Sequence, residues 1–80
     1  MAYKKSFLAG EKIYKAGQNS NGAFIIESGT VSLYTDMDFH LVTLGEGELF
    51  GELGQVVDEQ RSVTAIARTG CQLKHIKRLT

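Results

Sequence analysis

Apolar and polar positions alternate in short runs along this chain, and few stretches hold a helical period. Residues 3–8 predict a first strand, and residues 11–15 alternate around Ile13 as a half-buried strand does. Residues 16–22 (AGQNSNG) form a polar loop rich in turn formers. Phe24, Ile25 and Ile26 predict a buried strand, and Ser28-Gly29 a two-residue hairpin turn. Val31, Leu33 and residues 41–44 continue as apolar strands around a polar tip at residues 36–38. Residues 45–48 (GEGE) predict a second tight turn, and residues 62–67 and 73–76 the last strands. Only residues 52–57 read as helical, for two turns at most. Many short strands with regular turn signals predict an all-β sandwich, jelly roll or small barrel, and periodicity leaves the choice among these open.

At 80 residues the chain is one domain at most, with a modest core. Nine glycines and no proline fit an all-β plan built on tight turns. The formal net charge is zero, which argues against a dedicated nucleic-acid surface. Lys74, His75, Lys77 and Arg78 form a small basic end that reads as a solvated face. Cys71 is the only cysteine, so no internal disulfide forms, and it reads as a small buried hydrophobe. The opening residues lack the apolar stretch of a signal peptide, and no run has membrane-spanning length. A cytoplasmic, reducing setting is expected, with no membrane contact.

Two charges stand out. Glu52 and Arg61 sit between apolar strand-like segments, where an acid and a base hold each other or hold a ligand. Around them runs a larger pattern. It opens with Gly10-Glu11-Lys12-Ile13-Tyr14-Lys15-Ala16-Gly17 and continues with Phe24-Ile25-Ile26-Glu27-Ser28-Gly29-Thr30-Val31. Leu44-Gly45-Glu46-Gly47-Glu48-Leu49-Phe50-Gly51-Glu52-Leu53 follows, and Arg61-Ser62-Val63-Thr64-Ala65-Ile66-Ala67 closes it. Taken together, residues 6–78 resemble the cyclic-nucleotide-binding domain family. The Gly-Glu-Leu-Gly and Arg-Ser details are most similar to bacterial regulators related to the catabolite activator protein. The segment between Glu52 and Arg61 is short, as in the eukaryotic kinase type.

The resemblance implies a β-roll, a jelly roll of two four-stranded sheets around a phosphate-binding cassette with one short helix. It implies a non-enzymatic regulatory domain that binds cAMP or cGMP through Phe50, Gly51, Glu52, Leu53, Arg61, Ser62 and Val63. Arg61 would offer the cyclic phosphate a planar fork of donors. Gly51 and the start of the short helix would add backbone N–H groups and the positive end of a helix dipole. Glu52 would accept from the ribose 2′-hydroxyl, Ser62 would donate through its hydroxyl and amide, and Phe50 and Val63 would pack around the site. The family places helices on both sides of the roll. Their absence from these residues predicts a fragment or a minimal roll over 1–80, with apolar surface inviting a homodimer or an effector domain.

Other classes fit less well. A metal-dependent cupin needs several histidines and a carboxylate on one ion, whereas His40 and His75 are far apart and form no HxH pair. There is no nucleophile elbow for Ser/His/Asp catalysis and no cysteine cluster for iron–sulfur sensing. No cofactor is expected beyond the nucleotide ligand. The competing reading is a degenerate roll that serves as an interaction or dimerisation platform without ligand. Retention of both Glu52 and Arg61 favours binding.

Overall fold

The computed structural model describes residues 2–20, 22–51 and 60–77. They form eight strands: β1 (Ala2–Phe7), β2 (Lys12–Tyr14), β3 (Gly22–Ser28), β4 (Val31–Tyr34), β5 (His40–Leu44), β6 (Leu49–Phe50), β7 (Thr64–Ala67) and β8 (Cys71–Lys77). Two four-stranded sheets result, in the orders β1-β8-β3-β6 and β2-β7-β4-β5, with every pairing antiparallel. This is the expected β-roll. The expected helix at 52–57 lies outside the described residues. No helix among them is long and apolar enough to cross a membrane.

Alternation decides which side chains enter the core. In β8, Cys71, Leu73 and His75 point inward while Gln72 stays exposed. In the neighbouring β3, Phe24 and Ile26 enter the same layer. From the other sheet come Val31, Ala65 and Ala67, so small residues of β7 lie in the same cluster as Ile26 and Leu73. Truncating Leu73 to alanine would cost about 2–5 kcal/mol on transfer and cavity grounds. The edge strand β1 carries Lys4 and Lys5, charges that oppose edge-to-edge pairing.

Three sequence expectations shift. The turn after β3 is Gly29-Thr30 rather than Ser28-Gly29, because Ser28 still pairs with Gln72 on β8. Leu41 and Val42 belong to β5 but stand in solvent, because β5 is the edge of its sheet and turns only part of its length inward. The last strands are Thr64–Ala67 and Cys71–Lys77, the first shorter and the second longer than their apolar runs. The polar tip at 36–38 is held by Thr35, whose hydroxyl accepts from the amides of Met37 (3.2 Å) and Phe39 (3.1 Å).

Candidate functional site

At one end of the roll, the start of β3, the end of β6 and the approach to β7 converge on one side chain. Arg61 is only 5% exposed, and it is held by backbone and side chain alike. Its amide donates to the Gln18 carbonyl at 2.7 Å, and its own carbonyl accepts from Gly17 at 2.8 Å. Next to it, Asn19 and Gln60 form an isolated antiparallel bridge. The loop that supplies these contacts is fixed in turn. The Gln18 side-chain oxygen accepts from the Lys15 amide at 2.8 Å, and the Thr64 hydroxyl accepts from the Ala16 amide at 3.0 Å. The positive φ of Gly17 suits the turn.

The guanidinium donates through Nη1 to the Gly51 carbonyl at 2.8 Å and through Nη2 to the Gly22 carbonyl at 2.6 Å. Its central carbon lies 4.0 Å from the centroid of the Tyr14 ring, inside cation–π range. Tyr14 packs on Phe24 (centroids 6.1 Å) and Phe50 (6.0 Å), and those two stack on each other at 5.3 Å. His75 stacks on Phe24 at 4.5 Å and completes the aromatic layer. Burial pulls the Arg61 guanidinium below its usual range, and Tyr14 partly offsets this electrostatically. Arginine stays protonated at any physiological pH, so the cost appears as desolvation, and charge-assisted bonds to the two carbonyls offset it.

Gly51 is shaped for this neighbour. Its φ is +83°, and a Cβ built there would lie 2.7 Å from Arg61 Nη1. Only glycine both takes this backbone angle at little cost and leaves room for the guanidinium. The result is an oriented, largely dry cation beside the side-chain-free backbone of Gly51. Such a pair suits a small oxyanion, which needs a fork of N–H donors and close backbone approach. Among the described residues, no group of three histidine, cysteine or acidic side chains could hold a metal ion.

The structure brings Arg61 and Gly51 together. Phe50 is buried in the aromatic layer behind Gly51, and Val63 packs against the core. Ser62 is exposed at the entrance to β7. Glu52 and Leu53 lie outside the described residues. Three contributors escaped the sequence: Tyr14, Gln18 and the Gly22 carbonyl. Alternation around Ile13 hides Tyr14, because the β2–β7 register shifts between Lys12 and Tyr14 and turns Tyr14 inward beside a half-buried Ile13. Main-chain acceptors carry no residue signature at all.

The family described as cyclic nucleotide-binding domain matches residues 4–79. The cAMP-dependent protein kinase regulatory subunit of Eremothecium gossypii is 39% identical over 71 residues, which are 89% of this chain and 15% of that protein. A solved cAMP-bound PfPKA-R (141–441) superposes with a TM-score of 0.90 at 30% identity, over 96% of this chain and 27% of that one. An EAL enzyme in its cGMP-bound form superposes with a TM-score of 0.88 at 28% identity, over 94% of this chain and 21% of that one. The chain therefore spans only a small part of the length of these proteins.

Proposed function

Because the chain belongs to the cyclic nucleotide-binding domain family, we propose that it binds cAMP or cGMP and acts as a non-enzymatic regulatory module. The observation that carries this reading is the buried Arg61 guanidinium held against the Gly51 carbonyl, at a glycine that leaves it room. In this reading Arg61 neutralises the cyclic phosphate and the backbone from Gly51 onward donates to its oxygens. Glu52 accepts from the ribose 2′-hydroxyl. Ser62, exposed beside Arg61, donates to the phosphate or the base and is compatible with either purine. Leu53, Phe50 and Val63 supply the apolar surround. Both nucleotides occur among the ligands of the structural neighbours, cAMP in PfPKA-R and cGMP in the EAL enzyme.

The proposal extends to the setting. The module works in the cytoplasm and passes its state to an effector domain or a second copy. The regulatory subunits it resembles support this, and so does its unpaired cysteine thiol. Calorimetric titration of each nucleotide into the wild-type chain and Arg61→Ala tests the binding claim. Saturable one-to-one binding is expected, weakened in Arg61→Ala by about 30- to 1000-fold, the loss of a charge-assisted bidentate contact. Equal affinity in the variant overturns the role of Arg61. Absence of wild-type binding at millimolar nucleotide overturns the function and leaves a platform role.

A further inference from the structure

Resting on the reading of Arg61 as the phosphate-binding cation, we infer that Tyr14 is the positioning residue for its guanidinium. Three observations carry this. First, Tyr14 is a core residue only 8% exposed, yet its ring face is spent on a cation: the Arg61 central carbon lies 4.0 Å from the centroid. Second, the ring is itself fixed. Phe24 and Phe50 pack on it at 6.1 and 6.0 Å, and Phe24 is in turn stacked on His75. The face that Arg61 rests on therefore has a defined orientation, set by the aromatic layer. Third, Tyr14 lines a cavity of about 580 Å³ together with Gln18 and Gln60, one the backbone partner of Arg61 and the other its chain neighbour.

These facts assign the ring two tasks. Its negative face stabilises the desolvated charge from one side and fixes the plane of the guanidinium. That plane keeps Nη1 and Nη2 on the Gly51 and Gly22 carbonyls, so the charge that a phosphate would meet has a fixed position. The ring also covers one face of the guanidinium, in keeping with the 5% exposure of Arg61. Removing it lets the guanidinium rotate and hydrate, and both changes weaken its hold on a phosphate. The phenolic oxygen is not needed for either task.

The test uses the electron density of the ring and leaves its shape nearly unchanged. Tyr14 is replaced by phenylalanine, which keeps the negative face, and by pentafluorophenylalanine, which inverts it. Affinity for cAMP and cGMP is then measured by calorimetry. The phenylalanine protein is expected within about threefold of wild type, and the pentafluoro protein about tenfold weaker or more, the size of a desolvated cation–π contact. A merely structural Tyr14 predicts the same affinity for both replacements, and that result overturns the inference while leaving nucleotide binding intact. If wild type binds neither nucleotide, the proposed function falls separately. The claim about Tyr14 is then decided by side-chain NMR of ¹⁵N-arginine protein without ligand. Hindered, ring-shifted Arg61 guanidinium signals in the phenylalanine protein that average out in the pentafluoro protein support it. Identical Arg61 signals in the two overturn it.

Discussion

Gly29 and Gly51 stand at opposite ends of this roll, both with positive φ (+88° and +83°) and both pressed against a neighbour. The neighbours differ in kind. A Cβ on Gly29 would overlap the Gly70 carbonyl oxygen and come within 2.6 Å of Cys71 Cβ and 2.8 Å of its Cα. Those atoms belong to Gly70 and to the first residue of β8, a central strand paired on both sides, and they have nowhere to go. A Cβ on Gly51 would meet the tip of Arg61, which can swing, and otherwise only the Gly22 carbonyl at 3.5 Å. One glycine closes a rigid seam where the turn after β3 crosses β8. The other opens a yielding contact at the cation. Read as sequence, Gly29 looked like a turn residue and nothing more, whereas its tight packing on Cys71 is equally demanding.

Substitution separates the two roles. Gly29→Ala should lower unfolding free energy by about 2–5 kcal/mol, combining left-handed strain with overpacking that cannot relax. Urea denaturation measures this, and the fraction that folds should bind nucleotide as wild type does. Gly51→Ala should do the reverse. Its strain costs about 1–3 kcal/mol, while the displaced guanidinium weakens nucleotide binding about tenfold or more. A Gly29→Ala protein that folds normally but fails to bind would break the comparison.

Coupling sharpens it further. The overlap at Gly51 is with Arg61 itself, so adding Arg61→Ala should relieve part of the Gly51→Ala penalty, by about 0.5–2 kcal/mol in a double-mutant cycle. Additive stabilities would show that the two residues do not press on each other. Thr64→Val sits lower on the scale. It removes the acceptor of the Ala16 amide and should cost about 1 kcal/mol in thermal or urea unfolding. No loss would mean that the loop carrying Gln18 does not depend on this tether.

The smallest effect concerns pH at the seam. Burial, followed by the charge of Glu11, holds the Cys71 thiol above its ordinary value of 9.0. Below that value the thiol is neutral folded and unfolded, and its contribution to stability is fully present. Above it the unfolded chain ionises first, so stability is lost as pH rises toward the folded value. Wild type should therefore lose stability faster than Cys71→Ala between neutral pH and pH above about 9, the ordinary thiol range. Parallel stability curves for the two proteins would contradict a buried, neutral thiol.

Much of this molecule was legible before its structure. The strands announced themselves because the apolar runs at 24–26 and 73–76 follow from the pleat. His75, read with the basic end as part of a solvated face, instead points inward and is buried, because it alternates with Lys74 and Ile76. Gly51 and Arg61 drew attention because the family resemblance falls on them. What escaped were relations that no residue pattern encodes: the register shift that buries Tyr14, the main-chain carbonyls of Gly22 and Gly51 that receive the guanidinium, and the tight packing of Gly29 on Cys71. The two-residue β6 was also hidden, since Leu49 and Phe50 are too few to show a period and owe their state to pairing with β3.

The central claim is that Arg61 receives the phosphate, and arginine-selective NMR tests it most directly. The chain holds three arginines, so ¹⁵N-arginine labelling gives few side-chain signals, and cAMP is titrated against them. The account predicts that the Arg61 guanidinium signals shift saturably with ligand, following the calorimetric isotherm, while those of Arg68 stay still. Saturable binding with an unmoved Arg61 would contradict it.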